Sequence, residues 1–443
     1  MPAQGLNSGD TAWILTSAAL VMLMTPGVAL FYGGQARTKS VLNMYMMCFS
    51  ALGVVGVLWI LFGYSMSFGT DLGGVGLLGN PIEHFGLSDI LANDEAGETY
   101  PQLSFVAFQA MFAILTVALI AGSVADRMKF GAWLAFSVLW SVLVYFPVAH
   151  WVFDLENGWI ASKLEALDFA GGTAVHINAG LAGLVLCIIL GKRRGWPREA
   201  MRPHNLTMVM LGAALLWFGW FGFNAGSATS AGWNAAYAFV NTLAATSAAI
   251  LGWLVVEKIR YGKATSLGAA SGIVAGLVAI TPACSSVSPL GALAVGVVAG
   301  ALCAWAVGLK YKLGYDDSFD VVGVHFVGGL WGTLAVGLFA TDVAPDETAG
   351  LFYGGGFGQL GLQAVAALAV IVYCGVLTAI IALALKFTIG LRLDPEQEQN
   401  GIDEAEHAET GYEFSGLRGG SGLSSSSKPP ATAPTAAGVG KEA

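Results

Sequence analysis

Two stretches of the sequence carry one signature: Val175-His176-Ile177-Asn178-Ala179-Gly180-Leu181-Ala182-Gly183 and Val324-His325-Phe326-Val327-Gly328-Gly329-Leu330-Trp331-Gly332. Both read V-H-x-x-x-G-L-x-G, and each lies inside an apolar run of the roughly 20 residues that cross a bilayer. Runs of this kind predict eleven helices, at 11–32, 41–68, 104–125, 130–149, 169–191, 205–224, 234–256, 265–282, 290–309, 319–340 and 360–385. The echoed motifs fall in the fifth and tenth. An echo five helices apart predicts two five-helix halves followed by a final helix. Five is odd, so the second half enters the membrane from the opposite side. Such an inverted repeat places substrate sites near the midplane, between the halves.

Composition agrees. Of 443 residues, 56% are hydrophobic and 11% charged, and mean hydropathy is +0.68. A soluble domain carries about 25% charged residues, so this chain cannot cover a water-facing surface of its own size. An all-α polytopic membrane protein is the expectation. A cytosolic enzyme, a nucleic-acid binder and a disulfide scaffold are excluded. The net charge of −9 says little, but its distribution says more. With the loops after odd-numbered spans on the cytoplasmic side, 19 of 20 basic residues lie inside and only Lys163 outside, along with 14 of 29 acidic residues. The positive-inside rule therefore puts the N-terminus outside and the C-terminus inside. No Lys or Arg precedes Arg37, so the first run reads as a retained span and not a signal peptide.

Five cysteines sit in or beside apolar runs without metal-ligand spacing, and read as small packing residues. Gly268, Gly272 and Gly276 form a small-residue stripe suited to close helix packing. The chain divides into a membrane domain at 1–393, an acidic polar tail at 394–413 and a Gly/Ser/Pro/Ala-rich segment at 414–443 expected to be disordered.

Ionisable groups inside apolar spans are costly and mark function. His176 and His325 are the clear cases. A lone intramembrane histidine more often hydrogen-bonds a neighbouring helix, but two at echoed positions favour a functional pair. Neutral imidazoles can relay protons, ligate a metal or bind haem. A lumen without carboxylates holds no counter-ion, and an isolated ion in low dielectric costs tens of kcal/mol by Born solvation. A solute able to shed a proton escapes that penalty. Its entrance would need cation-attracting aromatic faces, worth about 0.5–2 kcal/mol each. Phe108 and Phe112, Trp151 and Phe153, and Trp220 and Phe223 lie at outer span ends, with the Ser227 hydroxyl nearby. The interfacial aromatic belt is the competing reading for each of these rings alone. Asp168, eight residues before His176, reads as a helix N-cap or as a long-range attractor of cations, and Asp320, five before His325, reads the same way at the inner face.

With these residues the chain resembles the ammonium transporter (Amt/Mep/Rh) family, of the bacterial Amt type, from about Gly9 to Glu413. The motifs are Pro26-Gly27 with Phe31-Tyr32-Gly33-Gly34, the run from Asp168 to Gly180, the run from Gly219 to Ser227, Thr281-Pro282-Ala283-Cys284, and the run from Asp320 to His325. The resemblance implies a homotrimer in the inner or plasma membrane, with one pore per subunit and no cofactor. It implies that His176 and His325 are a twin-histidine pair in mid-pore and that Phe112 and Phe223 are a stacked gate. Ser227 and Asp168 would shape an outer substrate site, with Phe108 and Trp220 as pore-wall aromatics. Many members carry Trp three residues after the position of His150. Phe153 stands there in this chain, with Trp151 nearby, so either ring could complete the outer site. The tail matches through Gly390-Leu391-Arg392, Glu396-Gln397-Glu398, Gly401-Ile402-Asp403 and His407 to Tyr412, with Ala408 where Gly is usual. In the family this segment folds over the cytoplasmic face and helps bind PII-type nitrogen regulators.

The expected function is ammonium transport. NH4+ is recruited outside, loses its proton, and NH3 passes the histidines while the proton is relayed separately, which makes transport electrogenic. Two other readings stand beside it: a membrane protein that binds a cofactor between the two histidines, and an ammonium sensor that signals through its tail.

Overall fold

The structure, a computed structural model, describes residues 5–92 and 99–412. The segment at 414–443 lies outside the described residues. The chain divides into Met1–Gly411 and Tyr412–Ala443, and the architecture below is that of the first unit.

Among the described residues, ten helices are long and apolar enough to cross a membrane: α1 Ser8–Gln35, α2 Val41–Phe68, α3 Gln102–Val124, α4 Phe130–Phe153, α5 Gly172–Leu190, α6 Leu206–Gly226, α7 Trp233–Tyr261, α9 Pro289–Leu313, α10 Val322–Phe339 and α11 Gly358–Thr388. Between α7 and α9 lies a shorter apolar helix, α8 Ser266–Ile280. Among the described residues, β structure is limited to isolated bridges.

The sequence places the eighth helix at 265–282, but α8 stops at Ile280. Pro282 lacks an N–H and disfavours helical geometry before it, so the chain turns through 281–286. At about 1.5 Å per residue, α8 rises roughly 22 Å, less than the hydrocarbon core. Every residue from Ala270 to Ile280 is buried, so α8 needs no full-length lipid-facing surface. The glycine stripe packs on α7: a Cβ at Gly276 would lie 2.6 Å from the Ala249 Cβ. The tenth helix starts at Val322 instead of 319, because Asp320 adopts φ +64, a left-handed conformation that a helix cannot hold. Helices α7 and α11 run several residues past their apolar stretches, since a helix need not end where the hydrocarbon does.

The echoed motif owes its glycines to one crossing. A Cβ at Gly180 of α5 would lie 2.3 Å from the Phe326 amide nitrogen of α10, and a Cβ at Gly329 of α10 would lie 2.8 Å from the His176 Cβ of α5. Each helix presses its first motif glycine against the other's histidine segment. The second motif glycines extend the pattern. Gly183 faces Ser123 of α3, while Gly332 faces the Ala279 carbonyl of α8. Helices α3 and α8 are the third members of their halves, so the equivalent contacts express the inverted repeat directly.

The tail closes the inner ends of two helices through α12 Pro395–Asn400 and α13 Ile402–His407. No local side chain caps α2 or α4. Instead the Asp403 carboxylate accepts from the Leu42 N–H (3.1 Å) and the Asn43 N–H (2.8 Å), and the Glu406 carboxylate accepts from the Phe130 N–H (2.8 Å). Arg392 pairs with Glu398 at 2.7 Å. Ala408 sits at φ +55, a left-handed conformation that favours glycine.

Candidate functional site

Both histidines lie on π-helical turns, Gly172–Ile177 and Val322–Phe326, which open α5 and α10. A π-turn inserts one extra residue, re-aims the side chain, and is frequent at functional positions. The α5 turn is fixed by Asp168. Its carboxylate accepts from the N–H groups of Gly171 (2.8 Å), Gly172 (2.5 Å) and Thr173 (2.7 Å), and from the Thr173 hydroxyl. Burial nevertheless pushes the Asp168 carboxyl above its ordinary range, because these donors offset desolvation only in part. The geometry is that of an N-cap.

At the inner end the cap is Asp317, whose Oδ2 accepts from the Val322 N–H at 2.8 Å. Asp320 has another task. Its Oδ1 accepts from the Lys310 ammonium at 2.6 Å. The reading of Asp320 as counterpart of Asp168 is thus corrected. The counterpart stands eight residues before His325, as Asp168 stands eight before His176.

The two imidazoles meet through Nδ1 atoms 3.3 Å apart, with ring centroids 5.4 Å apart and planes 21° from parallel. One ring donates through Nδ1–H and the other accepts. The donor ring then presents a bare Nε2 and the acceptor ring an Nε2–H. His176 Nε2 is buried without a hydrogen-bond partner. The pair therefore offers one acceptor and one donor to a small solute. Rings in direct contact leave no room for a macrocycle between them. Trp220 stacks on His176 at 5.3 Å and 18°. Its indole donates to the Thr281 hydroxyl (2.9 Å), which also approaches Asn224 Oδ1 (3.2 Å).

Above the histidines, Phe112 and Phe223 stack at 4.1 Å and 16°, both fully buried. Their ring contacts reach two spaces of different character: Phe108, against Phe112, lines one, and Trp220, against Phe223, lines the other. Outside lies a cavity of about 990 Å³ lined by Phe108, Phe153, Asp168 and Ser227 among others. Inside lies a cavity of about 10 Å³, room for one water-sized molecule, lined by Val28, Leu115, Leu216, Trp220, Val274 and His325 among others. Phe153 meets Phe112 edge-on at 6.0 Å and Phe108 does so at 4.9 Å. The Ser227 hydroxyl donates to the Phe223 carbonyl at 2.9 Å and keeps its lone pairs for the cavity.

Trp151 is not brought to this cluster. Its indole donates to the Leu77 carbonyl (2.8 Å) and its ring packs on Trp159 and Tyr373. Of the two rings at the outer site, the structure puts Phe153 in the cavity wall and Trp151 behind it. The sequence reading missed Asp317 and Thr281 as supports. The eight-residue spacing before each histidine was a usable signal for Asp317. Thr281 had none, because its partner lies 61 positions away.

The family model for the Ammonium Transporter Family matches residues 12–412. The ammonium transporter of Mycobacterium bovis is 63% identical, over 93% of this chain and 92% of that one. The Archaeoglobus fulgidus ammonium transporter Amt1 is 42% identical over 92% of this chain and its own full length. Among solved structures, Saccharomyces cerevisiae Mep2 superposes with a TM-score of 0.81 at 35% identity, covering 89% of each chain. A structure titled Sensor Amt Protein does so at 0.82 and 28%, covering 90% of this chain and 98% of that one.

Proposed function

The chain belongs to the ammonium transporter family, and from that premise we propose that it conducts ammonium inward by separating NH4+ from its proton. The single observation that carries this reading is the change of space at the Phe112–Phe223 stack. The 990 Å³ outer cavity holds carboxylates, hydroxyls and aromatic faces, whereas the 10 Å³ lumen below is walled by aliphatic side chains with Phe31, Tyr32, Trp220 and His325 and has no carboxylate in its lining. NH4+ gathers outside against Phe108, Phe153 and Ser227, where aromatic faces attract cations. An intact ion does not enter the lumen, where desolvation is prohibitive and no carboxylate hydrogen-bonds either imidazole among the described residues. Neutral NH3 does enter, donating to the bare imidazole nitrogen and accepting from the other ring's N–H. The proton follows through the imidazoles. Asp168 works by holding the π-turn that aims His176.

A proton carried separately makes transport electrogenic, with about 2.3 kcal/mol gained per elementary charge per 100 mV of inside-negative potential. The protein works in the inner or plasma membrane as a homotrimer with one pore per subunit, and its tail meets a PII-type regulator at the inner face. The test is ammonium-evoked current in proteoliposomes. Wild-type protein is expected to carry current with ammonium and none with potassium. Replacing both His176 and His325 by apolar residues is expected to abolish it. Potassium current of equal size, or undiminished ammonium current in the double variant, overturns the mechanism. Binding without flux makes the protein a sensor instead.

A further inference from the structure

Asp317 is 1% exposed and lies outside α10, at its inner start. Only its Oδ2 is used by the cap. Oδ1 is buried and has no hydrogen-bond partner. A carboxylate kept solely as a brace has no reason to leave one oxygen dry, since unmet buried acceptors are costly, and Asp168 leaves neither oxygen unmet.

The groups around Asp317 are committed elsewhere. From α9, the Lys310 ammonium donates to the Asp317 carbonyl (2.9 Å) and pairs with Asp320. Arg193 holds Asp316 in a two-pronged pair (2.8 and 3.0 Å), and Arg127 donates to the Asp316 carbonyl (2.6 Å). Tyr32 of α1, Cys187 of α5 and Tyr315 of the same loop also face Asp317. Burial, only partly countered by Lys310 and reinforced by Asp320, pushes the Asp317 carboxyl up to about 7. Tyr32 also lines the lumen together with His325, and its ring lies 5.6 Å from Phe319, two residues from Asp317.

We propose that Asp317 is the inner proton-exchange group of the pathway. Its carboxylate takes up the proton that travels apart from ammonia and becomes a carboxylic acid. The acid then gives that proton to NH3 leaving the lumen, forming NH4+, or to water, and returns to carboxylate. This assignment rests on the transport reading above.

Asp317→Asn separates bracing from proton exchange. An asparagine carbonyl still accepts from the Val322 N–H, but the side chain carries no exchangeable acid proton. In proteoliposomes of variable lumenal pH, the variant is expected to purify like wild type and to lose at least about tenfold of the ammonium-evoked current, in line with the removal of an acid–base group. The wild-type response to lumenal pH between about 6 and 8 is expected to vanish. An Asn variant with wild-type current at every pH makes Asp317 a cap only and overturns the inference, leaving the transport reading intact. A wild-type protein without ammonium current sinks the transport reading itself. If the Asn variant does not fold, infrared difference spectra of wild-type protein across the same pH range read the carboxyl directly. A protonated-carboxyl band that fades near pH 7 supports the assignment, and no such band overturns it.

Discussion

Asp168 and Asp317 stand at the same distance before their histidines and cap the same kind of turn, yet their surroundings differ. Asp168 meets only neutral donors, four in all. Asp317 meets one donor and a lattice of fixed ions, with Arg127, Arg193, Lys310, Asp316 and Asp320 close by. Symmetry of the backbone thus dictates where a carboxylate sits, and the loops around it dictate how it is used. The inner loops carry the basic residues that keep them in the cytoplasm, so arginine and lysine partners stand close to Asp317, whereas the hydrogen bonds to Asp168 all come from neutral groups.

The most damaging way to probe this comparison is at the crossing both halves share. Gly180→Val places side-chain carbon where the Phe326 backbone already sits. We expect a loss of about 3 kcal/mol or more, read as aggregated protein on size-exclusion in detergent, whereas Gly53→Val, with open space beside it, is expected to stay monodisperse. Equal behaviour would mean that the repeat does not depend on that contact.

Next in size is Arg193→Gln, which strands the buried Asp316 carboxylate. Breaking one side of a buried pair costs about 3–5 kcal/mol, and the thermal midpoint should fall accordingly. The same site has a pH signature. Burial pushes Asp316 up, but Arg193 and Arg127 outweigh it and hold the carboxyl below its ordinary range. Its stabilisation is complete above the unfolded value of about 3.9 and is lost as pH falls through the lower folded value. Asp317 runs the other way. Raised to about 7, its contribution is complete below the unfolded value and fades as pH rises through about 7. Melting curves of wild type and Asp317→Asn should therefore diverge on the neutral side and not on the acid side.

Smaller still, Asp168→Asn leaves too few acceptor lone pairs for four donors and should cost about 1–3 kcal/mol, with no change in response to inner pH. Asp403→Ala, which uncaps α2 from the tail, should cost about 1 kcal/mol, and circular-dichroism melts can resolve it. A larger effect for Asp403 than for Asp168 would reverse the ranking of tail and outer cap.

Much of the fold was legible in the sequence because crossing a bilayer imposes length and hydropathy on each helix independently of its neighbours. The place where that reading slipped, the end of α8, is where burial inside protein relaxes the demand. The histidine pair was legible for a similar reason, since ionisable residues stand out against an apolar run. The choice between Trp151 and Phe153 was not, because one residue's rotation about a helix axis is set by Leu77, Trp159 and Tyr373, which no local pattern connects. Asp317 is marked in the sequence only by the eight-residue spacing that it shares with Asp168, whereas Asp320, nearer the histidine, holds Lys310 instead. The π-turns left no mark, as no residue type prefers them strongly.

The tail has a consequence for how the protein is made. Asp403 emerges from the ribosome 361 positions after the Leu42 amide that it caps. At about 5–20 residues per second, the opening turn of the second helix waits roughly 20–70 s with its amides facing water. The first membrane hairpin to be inserted is thus among the last to be sealed, and a chain cut short before its four-hundredth residue would be threaded through the bilayer yet left unlatched on its cytosolic side.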